Sequence, residues 1–369
     1  MISSDDIINA TNADESSACS SNHTSQFSTL NSQLSTLNSQ FIKSSALQLG
    51  FVACGIAKAE PVDEDTARAY RQWIAEGRQA DMHYLEANID KRLDPTLLLP
   101  GARTIIVVAM SYAPARRLPK GEYQIADYAL GRDYHDVMKQ RLRQLAESAG
   151  LHEDVSTQKL CVDTVPILER YWAVRAGLGF IGRNHQLIIP GQGSMVFLGE
   201  IVTTAEADRY DEPLTLKDHP CADCRRCLDA CPTGALTSAE PTAQPTLTSQ
   251  LSPLNSIACL SYQTIEHRGP LADGIADKLG TTIYGCDRCQ RVCPHNRLAE
   301  PTTIAELQPS EALMNMRRDD WHRLSREDYQ RLFRGSAVKR AKYEGLMRNI
   351  EAVELGVQPP RFSSFSSSI

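Results

Sequence analysis

From Phe41 onward the apolar and polar positions follow two periods. Thr66–Glu76 repeats its apolar residues at three- and four-residue intervals, which predicts a helix. Val137–Ala149 does the same and stops at Gly150. Between them, Thr104–Tyr112 (TIIVVAMSY) is an unbroken apolar run of strand length, the pattern of a strand buried on both faces. Lys159–Asp163 (KLCVD) predicts a further strand, Ile167–Ala176 a helix, and Gln186–Pro190 and Met195–Thr204 two more strands. Helices alternating with strands predict an α/β domain over about 41–210.

The flanking segments follow neither period. Residues 1–40 are rich in Ser, Thr, Asn and Gln and repeat one unit, Ser28-Thr-Leu-Asn-Ser-Gln and Ser35-Thr-Leu-Asn-Ser-Gln. So polar a stretch buries too little apolar surface to offset its ordering entropy, which predicts a disordered extension, with a partner-binding tail as the functional alternative. Residues 211–300 carry most of the cysteines and are interrupted by Ser238–Pro253, a Pro/Ser/Thr-rich stretch that reads as an inserted loop. Residues 301–356 look helical, and 357–369 read as a fraying tail.

Composition narrows the function classes. Hydrophobic residues make up 42% of the 369 and charged residues 23%, ordinary for a globular protein, and the net charge of −6 argues against coating nucleic acid by global charge. A local patch remains open. Arg317–Arg348 holds ten Lys/Arg against five acids, a segment of +5 whose plainer reading is a solvated helical face. No apolar run reaches membrane-spanning length, and no basic start with an apolar stretch marks a secretory signal, so a cytoplasmic protein without membrane contact is expected.

Eleven cysteines then set the chemistry. Cys221-x2-Cys224-x2-Cys227-x3-Cys231-Pro232 is the bacterial ferredoxin run. Cys286-x2-Cys289-x3-Cys293-Pro294 is one cysteine short of a second set, and Cys259 is available upstream. In two-cluster ferredoxins the cysteine before proline ligates the other cluster. The run therefore predicts one [4Fe–4S] cluster on Cys221, Cys224, Cys227 and Cys293, and another on Cys231, Cys259, Cys286 and Cys289, in a ferredoxin-like α+β domain. Zinc or disulfides are the alternatives, but a three-cysteine run followed by Cys-Pro is atypical of zinc. Cys19, Cys54 and Cys161 fall outside the pattern, the last two as small buried hydrophobes.

Gly177-Leu-Gly-Phe-Ile-Gly182 matches G-x-G-x-x-G, but a helix precedes it and a strand follows, the reverse of a dinucleotide site. These glycines are expected to allow a tight turn and close backbone approach to something flat. There is no P-loop.

Several longer stretches carry a resemblance. Val162-Asp-Thr-Val-Pro-Ile-Leu-Glu-Arg170, Ala173–Asn184, Phe197-Leu-Gly-Glu-Ile201, Asp133-Tyr-His135, Ser261–Gly269 and Ser336–Lys342 together resemble the epoxyqueuosine reductases, over about 41–356 and in family order. The resemblance implies a cobalamin-binding α/β domain of reductive-dehalogenase/nitroreductase-like type, the two-cluster domain and short C-terminal helices. It implies base-off cobalamin, in keeping with the absence of a D-x-H-x-x-G motif, and reduction of the epoxide of epoxyqueuosine in tRNA to queuosine. Electrons would come from an external donor such as ferredoxin or flavodoxin through both clusters. A cobalamin-dependent reductase or dehalogenase of a small molecule, or a plain iron–sulfur electron carrier, are the alternatives.

The resemblance also assigns residues. Asp163 would donate the proton, its carboxyl kept neutral by burial at the mouth of the sheet. On its residues alone it reads equally as the N-cap of a helix starting near Val165. Arg170 would orient Asp163 or meet substrate, and Asp133, Tyr134 and His135 would line the pocket. Arg92, Ala126, Asp163, Leu187, Leu198 and Ser261 would contact cobalamin, and Arg225 and Arg226 would touch tRNA or tune a cluster.

Overall fold

The computed structural model describes residues 36–151, 154–217, 220–236 and 254–357. Its central element is a four-stranded sheet of β1 (Ala53–Lys58), β2 (Thr104–Ser111), β3 (Gln158–Cys161) and β4 (Val196–Thr203), in the order β1-β2-β4-β3. Every pairing is antiparallel, with Val107 opposite both Gly55 and Glu200, and Cys161 opposite Glu200. The alternation of helices and strands therefore does not build a parallel sheet, and the rule that places sites at the carboxyl mouth of such sheets does not apply.

Why β2 is apolar throughout follows from what covers it. Ile106, Val108 and Met110 face one core with helices α1 (Ser39–Gln48) and α3 (Tyr134–Ser148). Ile105, Val107 and Ala109 face a second core holding Tyr70 of α2 (Glu64–Ala75) and Tyr171, Trp172 and Ala173 of α4 (Glu169–Arg175). Helices on both faces leave no wet side on which polar residues would alternate. Burial at about 25 cal/mol per Å² is the main stabilising term here.

The chain enters this domain earlier than its polar composition implies. Leu37, in the second copy of the repeated unit, is 3% exposed and bridges Ala207, and the Asn38 side chain caps α1 by accepting from the Phe41 N–H. One leucine and one cap suffice to order a stretch that composition alone assigns to the tail. The first copy and Cys19 lie outside the described residues.

A third core ties the cysteine region to both ends. Tyr123 and Ile125 pack with Leu260, Tyr284, Trp321, Phe333 and Ile350. The short strand Gln124–Ile125 pairs in parallel with Thr282–Tyr284, and the long helix α5 (Lys342–Val357) lies over them. The Ser238–Pro253 loop falls outside the described residues, but Leu236 and Leu254 at its base pair with each other. Among the described residues, no helix is long and apolar enough to cross a membrane.

Trp321 is 1% exposed at the centre of this third core. Trp321→Ala is expected to lower the unfolding free energy by about 3–5 kcal/mol. Denaturant unfolding would show it, and a loss under about 1 kcal/mol would mean that the C-terminal helices do not depend on this core.

Candidate active site and cysteine quartets

The site starts at the N-terminus of α3. Asp133 caps the helix, accepting from the His135 backbone N–H at 3.1 Å. The same Asp133 Oδ1 lies 2.7 Å from His135 Nδ1. The other ring nitrogen, Nε2, lies 3.3 Å from Asp163 Oδ2, which also accepts from the Tyr134 hydroxyl at 3.0 Å. Both imidazole nitrogens thus face carboxyl oxygens, and where both carboxyls are ionised both nitrogens donate, as only the imidazolium can. Burial alone would push the His135 pKa down, but the bonds to Asp133 and Asp163 outweigh it and hold it up at about 9. Tyr134 is fixed by stacking on Phe197, ring centroids 4.2 Å apart.

Asp163 is not the neutral acid expected from burial. Burial does push its carboxyl up, but the bonds from His135 and Tyr134 and the charges of His135 and Arg340 bring it below the ordinary aspartate value. Its side chain is 58% exposed, into a cavity rather than to open solvent. Nor does Asp163 end a strand or cap a helix. The strand ends at Cys161, Asp163 turns with φ of +52°, and α4 starts at Glu169 with Leu168 as its N-cap. Arg170 does not orient Asp163 either; it donates to the His185 carbonyl.

Two cavities meet at this bridge. One, about 300 Å³, is walled by Asp163, Arg170, Arg92 and Tyr84. The other, about 310 Å³, is walled by Tyr134, Phe197, Ala126, Ser261, Asn184 and all four of Cys231, Cys259, Cys286 and Cys289. Leu254 belongs to both walls. Buried donors stand without partners in them: Arg92 Nε in the first and Asn184 Nδ2 in the second. An apolar surround with orphaned donors suits a flat macrocycle edged with amide carbonyls, so the walls fit a corrin. Leu187 and Leu198 lie in neither wall; they pack in the core beside α4.

Two groups of thiols stand close enough to act on one another. None of those described is in a disulfide. Burial raises Cys221, Cys227 and Cys293, and the neighbouring thiols that act on them are Cys221, Cys224 and Cys293. Burial likewise raises Cys259, Cys286 and Cys289, whose acting neighbours are Cys231, Cys259 and Cys286, with Cys227 at the seam. Among the described residues no three His, Cys, Asp or Glu side chains converge on a single-ion site. Cys54 and Cys161 join neither; burial pushes the Cys54 thiol up to about 12 and raises the Cys161 thiol well above its ordinary value.

The G-x-G-x-x-G stretch folds against its own backbone, not against a flat ligand. Phe180–Ile181 pairs with Leu187–Ile188, and a Cβ on Gly179 would sit 2.2 Å from the Ile188 carbonyl oxygen. The basic C-terminal segment is also less free than its count. Arg318, Arg326, Arg331 and Arg340 pair with Glu354, Glu344, Asp328 and Glu266, and Arg348 donates to three backbone carbonyls. Arg334, Lys339 and Lys342 have no such partner and line one open recess of about 850 Å³.

Glu169, Glu200 and Asn184 were not singled out from sequence. For Glu200 a signal existed: a carboxylate in an otherwise apolar strand run, FLGEIV, buried on either face.

Residues 92–164 match the family described as Epoxyqueuosine reductase QueG, DUF1730, and residues 220–296 match the 4Fe-4S double cluster binding domain. An epoxyqueuosine reductase from Cellulophaga algicola is 36% identical over 310 residues, covering 84% of this chain and 96% of that one. A solved epoxyqueuosine reductase with a tRNA-Tyr epoxyqueuosine-modified stem loop has a TM-score of 0.73 at 28% identity, over 85% of this chain and 80% of its own. The Bacillus subtilis epoxyqueuosine reductase, solved with its catalytic aspartate loop swung out of the active site, has a TM-score of 0.71 at 27% identity, over the same shares.

The His135 bridge has a pH signature. Its pKa is raised from 6.5 to about 9, so its stabilisation is complete below pH 6.5 and is lost as pH rises through 9. The stability difference between the native protein and His135→Gln should therefore shrink across that window. A difference that stays constant from pH 6 to about 10 would show that His135 is not the imidazolium of the bridge.

Proposed function

The chain belongs to the epoxyqueuosine reductase family, and on that premise we propose how its own residues divide the reduction of epoxyqueuosine in tRNA to queuosine. Opening the epoxide and releasing its oxygen as water takes two electrons and two protons. The family's cofactors, cobalamin and two [4Fe–4S] clusters, supply the electrons when bound: the cobalt at carbon, the clusters one at a time behind it.

The Asp163–His135 bridge beside a cavity walled by Cys231, Cys259, Cys286 and Cys289 carries the reading. Those four cysteines hold the cluster next to the corrin. Cys221, Cys224, Cys227 and Cys293 lie in neither cavity wall and hold the cluster where an external donor such as ferredoxin or flavodoxin delivers electrons.

Asp163 is the last carrier of the proton rather than its store. His135 holds a proton on Nε2 at neutral pH and passes it to Asp163 Oδ2, which presents it to the substrate oxygen. Asp133 keeps Nδ1 as a donor and stabilises the charge. Tyr134 fixes the same Oδ2 and forms part of the wall towards the second quartet. Arg92 and Asn184 offer their orphaned donors to corrin amides, and Ala126 and Ser261 shape the surface beside them.

The tRNA backbone lies over the basic recess. Gly335 accepts from the Asp133 N–H, and Arg340, five residues on, is among the charges acting on Asp163. The segment that carries Arg334, Lys339 and Lys342 therefore borders the catalytic bridge.

Protein reconstituted with both clusters, cobalamin and a strong reductant should convert epoxyqueuosine to queuosine in tRNA, read by nucleoside analysis; no conversion would defeat the proposal. Asp163→Asn should slow turnover by about 10²–10⁴-fold with cluster absorbance and tRNA affinity retained. Replacing Arg334, Lys339 and Lys342 together by alanine should weaken tRNA binding and flatten its log–log salt slope by about 2–3. An unchanged slope would move the RNA away from the recess.

A further inference from the structure

Two carboxyl groups beside the site, the buried Glu200 and the half-buried Glu169, have no task in the reaction as set out. Glu200 sits in the middle of β4 with no exposed surface, and neither of its oxygens has a hydrogen-bond partner. Its strand neighbour is Cys161, and two residues beyond Cys161 the chain turns at Asp163. That turn is unusual. The φ of +52° is one that residues with side chains seldom adopt. Thr164 N–H closes it locally on the Val162 carbonyl at 2.5 Å. Its side chain is held by Tyr134 and His135, and its backbone by the Asp163 N–H, which donates to Glu169 Oε1 at 2.6 Å. Glu169 is the first residue of α4.

We propose that Glu169 is the positioning residue of the site: its carboxylate latches the Asp163 backbone and thereby keeps the Asp163 side chain on Tyr134 and His135. The orientation of Asp163 needs such a latch because a left-handed residue without glycine's freedom relaxes once its outside bond is lost. Glu200 leaves the negative charge to Glu169. It has no exposed surface and, among the described residues, no hydrogen-bond donor, so it stays neutral. Glu169 has the Asp163 N–H and the neighbouring Arg170, so the negative charge settles there.

The latch is therefore sensitive to pH near neutrality. Burial and the charge of Asp163 push Glu169 up to about 7, opposed by the Asp163 N–H, Arg170 and His135. Burial, Glu169 and Asp163 push Glu200 well above the ordinary glutamate value. Below about pH 7 Glu169 takes a proton, becomes a weaker acceptor, and the turn loosens.

The proposal rests on Asp163 as the proton carrier, and amide exchange tests the latch without relying on turnover. In the full chain loaded with both clusters and cobalamin, exchange of the 162–168 segment is followed against pH and corrected for intrinsic rates. Protection should be high above pH 7 and fall below it. Glu169→Ala should exchange about ten- to hundredfold faster at pH 8, the loss of a bond to a charged group. The isosteric Glu169→Gln keeps an acceptor that does not titrate. It should show intermediate protection independent of pH, and an acid limb of kcat no longer centred near 7, with KM for the tRNA unchanged. Native protection in Glu169→Ala at pH 8 would overturn the latch, whatever the turnover. An acid limb unmoved in Glu169→Gln would overturn its pH dependence.

Discussion

The site depends on one histidine held between two carboxylates. His135 reaches Asp133 with one ring nitrogen and Asp163 with the other, and the two carboxyls together hold the ring's pKa up at about 9. The charged ring in turn keeps the Asp163 carboxyl below its ordinary value where burial would raise it. Asp133 can do its part because the same side chain caps α3. A helix start is a rigid place from which to aim an imidazole, since the cap bond and the first turn fix the backbone on which the ring is carried.

The covering of the sheet serves the same end. Helices on both faces cover β2 and β4, and in that layer Glu200 has no exposed surface and, among the described residues, no hydrogen-bond partner. The cysteine region does not stand apart from this scaffold. Its strand Thr282–Tyr284 pairs with Gln124–Ile125, next to Ala126 in the cavity wall. Cys231, Cys259, Cys286 and Cys289 thus share a cavity wall with residues that the third core positions, and a shared core fixes their place better than a flexible linkage could. The third core extends the arrangement to the C-terminal helices and so to the basic recess.

Much of this was legible along the chain. The two periods of apolar residues locate the main helices and strands to within a few positions, because each element buries one face or both. The cysteine spacings point to a double-cluster domain, which the family match over 220–296 bears out, because short spacers let several thiols of one run reach one cubane. Asp133, Tyr134, His135 and Asp163 are found by resemblance, and the fold brings all four together.

What the linear order could not settle was everything that depends on who faces whom. The antiparallel pairing of the sheet depends on contacts between segments far apart in sequence, which periodicity does not encode. Leu37 escapes from a polar repeat because Ala207 is there to receive it. Five of the ten basic side chains near the C-terminus, Arg318, Arg326, Arg331, Arg340 and Arg348, are held by internal partners, while Arg334, Lys339 and Lys342 line the recess. The protonation of the site is the clearest case. Asp163 is ionised and His135 charged because four side chains from two segments meet, and a pKa is a property of that meeting, not of the residue. Sequence alone determined which groups could carry electrons and protons; only the tertiary structure decided where the charges sit, because charge is set by distance and burial.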